Sequence, residues 1–145
     1  MSRRTSIITA LAQKIKIIDG TTPFQSNVYE NVLNRLKFWD EVSDFPFVCV
    51  VPGMEFREYM PGDFTWAFLN VSIKLYTKGE DCSEKLELLL EDVERVIHDN
   101  RVLVYDTENN YVTTEILVTS ITTDEGLLNP FAVGEMNLQV RYALM

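Results

Sequence analysis

Carboxylates are the most numerous groups in this sequence that could do chemistry. The 145 residues include 22 Asp and Glu, one His and two Cys. Glu84, Glu87, Glu91 and Glu94 follow one another at spacings of three or four, so a helix would place them on one stripe. Such a stripe could bind a divalent cation or a basic partner. It is also the pattern of a solvated helix face opposite leucines, and we favour that interpretation.

Residues for metal, nucleotide or nuclease chemistry do not occur in workable sets. His98 stands alone near a predicted helix end, and Cys49 and Cys82 lie far apart in the sequence, so zinc has no ligand set. No glycine-rich phosphate loop is present. Pro61-Gly62-Asp63 precedes a predicted strand, as in some nucleases, but no Glu-x-Lys or Asp-x-Lys triplet follows it. We therefore predict a protein that is not an enzyme and has no cofactor or metal.

Aromatic residues crowd the segment from Phe38 to Tyr76, where they could stack on nucleic acid bases. Acidic residues surround them, and the net charge of −9 repels a phosphate backbone. We therefore expect no nucleic acid recognition. Some of these aromatics are expected in the core. Trp39, Tyr59 and Trp66 lie beside turns or on a polar strand face, and we expect them at a protein interface, where aromatics are enriched.

Charge is unevenly distributed along the chain. Residues 1–37 contain six basic and two acidic residues, a net charge of +4, whereas residues 38–145 contain seven basic and twenty acidic residues, a net charge of −13. The acidity could simply keep the protein soluble, or a basic end on an acidic body could favour head-to-tail contact between subunits. Charge alone leaves both interpretations open.

The start and the cysteine content indicate an intracellular product. No apolar run approaches the roughly 20 residues of a membrane helix, so we expect no membrane association. Gln13, Lys14 and Lys16 interrupt the apolar stretch near the start too early for a cleavable signal peptide. Two cysteines do not form a disulfide framework.

The elements that must position these groups follow from the spacing of apolar residues. Ile and Leu recur at helical spacing from Ile7 to Ile18, which predicts a helix that ends at Asp19-Gly20. Residues 27–36 combine helical spacing with strand-forming residue types, and we predict a strand there. Phe45–Val51 is a short apolar run closed by Pro52-Gly53, which is typical of a buried strand followed by a turn.

A second turn signal, Pro61-Gly62-Asp63, follows Met54–Met60, so two turns bracket a hairpin-like excursion. Phe64–Thr77 alternates between apolar and polar residues, which predicts a long, half-buried strand. Asp81 and Glu84 have the spacing of a capping box at the start of a second helix. The inward stripe of this helix consists of Leu86, Leu89, Leu90, Val93 and Ile97.

Three further strands complete the prediction: Leu103–Tyr105, Thr114–Thr123 and Val133–Leu144. We predict a single α+β domain over residues 1–145. Its sheet is expected to be antiparallel, with a mixed sheet as the alternative, and to have about four to five strands. Two α-helices are expected to pack on one face, and a β-hairpin is expected to protrude.

This succession of elements resembles that of the tail terminator (tail-completion) proteins of long-tailed bacteriophages. The resemblance extends over roughly residues 25–100. NVYENVLNRLKFWDEVSDFP leads into a Val-rich strand, a PG turn and the EFREYMPG hairpin. The alternating strand that ends in YTKGED follows, and then a leucine-striped acidic helix that ends at His98-Asp99-Asn100.

The resemblance implies a small α+β subunit that assembles into a six-fold homo-oligomeric ring and acts by binding alone. That ring would cap the tube of major tail tube protein, stop its growth, and present the surface that joins the head connector or neck protein. The protein would belong to the virion, at the head-proximal end of the tail, after assembly in the host cytoplasm. Another head–tail connector or neck protein, or a non-phage interaction module, is the alternative. A small hydrolase fits worst, because a catalytic set is missing.

Residues of the predicted hairpin are candidates for the ring contact. Arg57, Glu58 and Tyr59 form a polar, aromatic-bearing excursion that an isolated domain would not need. We expect them to contact a neighbouring subunit or the tube end, because head-to-tail contacts between two different side surfaces close a cycle. Together with the two tryptophans named above, they are the predicted interface residues. The loop Asp106–Asn110 is a second candidate contact.

Overall fold

A six-stranded sheet with two helices on one face makes up the computed structural model, which describes residues 1–144. The elements in chain order are α1 (Arg3–Ile15), β1 (Val32–Leu33), a short 3₁₀ helix (Trp39–Glu41), β2 (Phe47–Met60), β3 (Phe64–Lys78), α2 (Cys82–Asp99), β4 (Val104–Asp106), β5 (Tyr111–Thr123) and β6 (Phe131–Leu144). The strands lie in the order β1-β2-β3-β6-β5-β4. Only β1 is parallel to its neighbour among the described strands. The predicted α+β class is confirmed.

The predicted number of four to five strands is wrong, because the sheet has six. The difference comes from β1 and β4, which have only two and three residues. Strands were predicted at both places, within residues 27–36 and at Leu103–Tyr105, so the stated total was too low for the predicted elements themselves. In residues 27–36, predicted as a strand, only Val32–Leu33 pairs with β2.

The turn predicted at Pro52-Gly53 is wrong. The chain passes straight through it in β2, and the pairing with β3 shifts register between Pro52 and Glu55, which is a β-bulge. Pro52 has no N–H to donate to the ladder. A Cβ atom on Gly53 would lie 3.2 Å from the carbonyl oxygen of Asn70, so the backbones approach closely there. Proline and glycine here mark an irregularity within one long strand.

The turn at Pro61-Gly62-Asp63 does join β2 to β3, with positive φ at Gly62 (82°) and Asp63 (60°). The hairpin does not stand clear of the sheet, however. β3 pairs with β6 from Thr65, opposite Leu144, to Lys78, opposite Phe131. The predicted protruding hairpin is therefore the outer part of the sheet itself.

The main core lies between the sheet and the two helices. α1 packs on β1, β2 and β4, whereas α2 packs on β3, β6 and β5. Because β2 and β4 lie towards opposite sides of the sheet, contact of both with α1 means that the sheet curls around this helix. The largest side chains with almost no exposure include Ile7, Leu11, Ile15, Leu69, Ile73, Leu89, Ile97, Ile116 and Tyr142.

Helix boundaries differ from the predictions in two places. α1 ends at Ile15 instead of Asp19, although Ile18 beyond its end is also buried. Asp81 does not form a capping box, because its side chain makes no capping hydrogen bond and instead forms an ion pair with Lys85 at 3.2 Å. The glutamate stripe of α2 is exposed opposite the buried leucines, as expected for a solvated face.

The opposite face of the sheet is covered only at one end. There the segment before β2 folds over Phe47, Cys49 and Tyr76 in a second, small cluster. The Tyr76 hydroxyl donates to the carbonyl oxygen of Lys37 at 2.6 Å, which fixes this cover to β3.

Asp92 connects the segment between α1 and β1 to α2. Its carboxylate is 1% exposed and accepts hydrogen bonds from the backbone N–H groups of Gln25 (3.0 and 3.1 Å) and Ser26 (2.7 Å). Buried backbone donors need such partners, since a donor without one loses the hydrogen bonds it made to water. One carboxylate thus satisfies two N–H groups and fixes where the first third of the chain meets α2.

We predict that Asp92→Ala lowers the free energy of unfolding by about 1–3 kcal/mol, because it leaves two backbone N–H groups without an acceptor. Urea unfolding of the purified protein measures the change. Glu87→Ala, which removes an exposed carboxylate from the same helix, is the matched control and should shift stability by less than about 0.5 kcal/mol. Equal losses in the two variants would contradict the role assigned to Asp92.

Candidate assembly surface

The predicted interface residues occupy both faces of the β2–β3 hairpin. Arg57 lies opposite Ala67, which is buried against the helices, so Arg57 and Tyr59 belong to the helix-covered face. Glu58 lies opposite Trp66, and these two side chains belong to the other face. Tyr59 is 79% exposed. The four residues are neighbours, but they do not form one surface.

Trp39 is separated from the other four. It lies in the 3₁₀ helix, with its ring centroid 5.1 Å from that of Phe131. Phe131 pairs with Lys78 at the far end of β3 from Trp66. The structure therefore places the two predicted tryptophans at opposite ends of the sheet.

The outer edge of β2 is unpaired over most of its length. β1 pairs with β2 only at Val48 and Cys49, so within residues 1–144 no strand lies beyond Val50–Met60. The Arg4 side chain touches this edge once, donating to the carbonyl oxygen of Gly53 at 2.6 Å. Exposed apolar side chains follow the edge: Met54, Phe56, Tyr59 and Met60.

The edge of β5 is free in the same way. β4 pairs only with Tyr111 and Val112, and no described strand lies beyond Thr114–Thr123. Leu117 and Ile121 are exposed along this stretch. β5 also has irregularities in its pairing with β6, between Thr113 and Glu115 and between Val118 and Ser120. The sheet thus has a long free edge on each side, and each strand that forms one contains a bulge.

A buried carboxylate organises the outer half of β2. The Glu55 side chain is 5% exposed and accepts a hydrogen bond from Arg57 Nε at 2.7 Å and from the hydroxyl of Tyr142, which is itself 1% exposed. Arg57 is held by this ion pair, yet its side chain remains 44% exposed at the surface. Sequence reasoning missed Glu55 and Tyr142, because these partners lie far apart in the chain and no local pattern links them.

Burial, followed by the hydrogen bond to Glu55, raises the pKa of Tyr142 above that of an ordinary tyrosine. The neutral phenol is the form that donates to the carboxylate, so ionisation would place two negative charges together in a buried site. The network therefore stabilises the fold only while Tyr142 is protonated.

On the helix-free face, Trp66 is part of a stacked group. The Arg141 guanidinium lies 3.8 Å from the Trp66 ring centroid and 5.7 Å from that of Phe68. Phe64 meets Trp66 edge to face, with centroids 4.7 Å apart. Cation–π contact of this kind holds Trp66 against its own chain. Trp66 remains partly exposed beside these contacts.

Within residues 1–144, no group of three His, Cys, Asp or Glu side chains could hold a metal ion. His98 is exposed in the last turn of α2. Neither described helix is long and apolar enough to cross a membrane.

Comparison with known families decides the broader assignment. The model of the family described as bacteriophage tail tube terminator protein matches residues 1–145. The chain belongs to this family. The resemblance inferred from roughly residues 25–100 is confirmed and extends over the whole chain.

Individual relatives agree with the family. The chain is similar to the tail tube terminator protein p142 of Escherichia phage T5, with 38% identity over 152 residues that cover 98% of this chain and 94% of that protein. Among solved structures, a chain of the virion of a native gene transfer agent particle superposes with a TM-score of 0.63, covering 99% of this chain and 100% of the other. Their identity is 11%, so that likeness concerns the fold alone.

We predict that Tyr142→Phe lowers the free energy of unfolding by about 1–3 kcal/mol at neutral pH, because the buried Glu55 loses a donor. As the pH rises into the alkaline range, the free energy of unfolding of the variant should decrease less than that of the unchanged protein. A tyrosine whose pKa is raised in the folded state contributes its full stabilisation below the pKa of the unfolded chain, about 10. This stabilisation is lost as the pH rises towards and through the pKa of the folded state.

Urea unfolding from about pH 8 to about pH 11 tests this prediction. Burial also raises the pKa of Tyr76 and Tyr105, so some alkaline loss should persist in the variant. Tyr29→Phe, at an exposed tyrosine, is the control. An alkaline decrease as steep in Tyr142→Phe as in the unchanged protein would exclude this role for Tyr142.

Proposed function

We propose that this protein caps the end of a phage tail tube as a ring, stops tube elongation and provides a surface for joining the head. Membership of the tail tube terminator family supports a structural role in the virion that depends on binding and not on catalysis. The observation that supports the ring most directly is the pair of free sheet edges. We further propose that the ring lies at the head-proximal end of the tail and that it assembles in the host cytoplasm.

The two free edges have the polarity that ring closure requires. β2, β3, β6 and β5 are successive antiparallel neighbours, so β2 and β5 run in opposite directions on opposite sides of the sheet. When copies are arranged side by side around an axis, β2 of one copy meets β5 of the next in antiparallel orientation. Unpaired N–H and C=O groups on both edges then find partners. Such a contact joins two different surfaces, as a cyclic ring requires, and the ring closes when the rotations between successive copies add up to one full turn.

A ring closed in this way leaves the ends of the strands at its two rims. One end of the sheet has the Pro61–Asp63 turn, the end of β6 and the turn after Asp106. The other end has the 3₁₀ helix with Trp39 and the turn between β5 and β6. We assign the tail tube protein and the head connector or neck protein to these two rims. The predicted contact loop Asp106–Asn110 lies at the first rim.

Six copies are proposed from the family resemblance. Mass measurement of the protein alone and with purified tail tubes tests the number. A hexamer supports the proposal, whereas a stable dodecamer would indicate a connector.

We predict that a lysine on either free edge weakens ring formation, because a charged side chain on an edge strand opposes pairing. Phe56→Lys changes the β2 edge and Ile121→Lys the β5 edge. Each should weaken association roughly tenfold, equivalent to about 1.4 kcal/mol. Native mass spectrometry over a concentration series measures the effect. Leu88→Lys, at an exposed position on α2, is the control. Association of both edge variants as strong as that of the control would rule out edge pairing.

We also predict that charge reversal at Arg57 or Glu58 weakens ring formation or tube capping. Both residues are exposed on the outer half of β2, where a neighbouring copy would lie. Glu58→Lys is the cleaner test, since Arg57→Glu also breaks the ion pair with Glu55. The length distribution of tubes assembled with each variant, seen by electron microscopy, reports capping. Normal tube lengths with both variants would remove these residues from the interface.

A further inference from the structure

The two helices differ in charge and in the strands on which they pack. α1 contains Arg3, Arg4 and Lys14 and no acidic residue, and it packs on β1, β2 and β4. α2 has an exposed glutamate stripe and packs on β3, β6 and β5. Arg4 contacts the β2 edge at Gly53 and Arg35 follows β1, so basic residues flank the β2 edge, whereas an acidic helix flanks the β5 edge.

An open groove of about 540 Å³ lies between the second half of α2 and β5. Glu91, Glu94 and Asp99 are exposed at its margin, and the half-exposed Leu117 contributes apolar surface from the free edge strand. The groove therefore offers both carboxylates and apolar surface directly beside the strand that a neighbouring copy would meet.

Two arginines also line this groove, and they do not cancel its acidity. Arg101 forms an ion pair with Glu115 of its own chain. Arg95 is exposed on α2 between Glu91 and Asp99. His98 is exposed as well. With Arg101 paired internally, three carboxylates face one free arginine, which leaves an excess of negative charge.

The flank beside β2 has an excess of positive charge. Lys14, Lys16 and Arg35 form no ion pair with any residue among 1–144. Lys14 and Arg35 are exposed. Thr9 of α1 and Asn34, next to Arg35, are joined by a hydrogen bond of 3.3 Å, so α1 and the segment after β1 form one surface. We name Arg4, Lys14, Lys16 and Arg35 the basic flank.

The groove lies at the same height along the strands as the contact between Arg4 and Gly53. Val118 in the groove is opposite Leu138, which is opposite Val71, which in turn is opposite Pro52. Pro52 begins the bulge at which Arg4 contacts Gly53. In the parallel β1–β2 pair, Leu33 lies opposite Cys49, so the chain that continues to Arg35 approaches this same height.

We propose that the groove between α2 and β5 of one copy binds the basic flank of the next copy. This inference rests on the proposed ring. Both helices cover the same face of the sheet, so edge pairing would bring α1 of one copy beside α2 of its neighbour. Opposite charges on the two surfaces then favour the head-to-tail arrangement and oppose pairing of like edges. The basic side chains of the second copy then balance the excess of carboxylates in the groove.

Charge exchange tests the inference. Glu91→Lys/Glu94→Lys reverses the groove, and Lys14→Glu/Arg35→Glu reverses the flank. Each double variant should associate about tenfold more weakly than the unchanged protein, since two exposed ion pairs are lost and replaced by like charges. A protein with all four substitutions should recover association to within about threefold. Glu84→Lys/Glu87→Lys, on the same helix stripe but outside the groove, is the control for net charge.

Native mass spectrometry with and without purified tail tubes measures ring formation, and thermal unfolding at low concentration checks that each variant folds. If the unchanged protein forms rings and the reversals have no effect, this inference fails while the proposed function stands. If reversal weakens the ring but the fourfold variant does not recover, a partner other than a second copy occupies the groove, and the inference is again overturned. If the unchanged protein forms no ring even on tubes, the proposed function fails as well.

Discussion

The pairing of β3 on both of its sides is the constraint on which the rest of the structure depends. Its residues pair with β2 on one side and with β6 on the other over almost the whole strand. Its alternate residues Ala67, Leu69, Val71, Ile73 and Leu75 form the floor on which the helices pack. Because side chains alternate between faces, a shift of one residue in this strand would expose that floor to solvent. The position of every other strand is therefore set relative to β3.

Because both helices cover the same face of the sheet, only the other surfaces of the protein remain open for binding. α1 and α2 both pack on the same side, and the segment before β2 covers only one end of the other side. The two sheet edges and the two ends of the strands therefore remain open. The protein therefore presents four separate open surfaces, which is the number that the proposed ring with a partner on each rim would need.

Features encoded by local alternation were predictable from the sequence. Phe64–Thr77 alternates clearly, and the leucine stripe of α2 has helical spacing, so both elements were found almost complete. Pro52-Gly53 was misinterpreted because the same dipeptide suits a turn or a bulge, and the choice depends on the partner strand. Contacts between distant parts of the chain could not be predicted, because no local pattern connects residues such as Glu55 and Tyr142, which are 87 residues apart. Arg57, Glu58 and Tyr59 are exposed, but their division between two faces follows only from the register with β3, which the sequence does not reveal.

In the proposed ring, the bulges in β2 and β5 would limit how the two sheet edges can be aligned with each other. An unpaired strand edge accepts almost any other edge, and subunits that join without closing produce open filaments. A bulge breaks the regular spacing of N–H and C=O groups at one point along the edge. The irregularity near Pro52 and those near Thr113 and Val118 therefore allow few alignments of the two edges in which the remaining groups match. Such an alignment is set by backbone groups and by Pro52-Gly53, and the exposed side chains along the edge do not determine it.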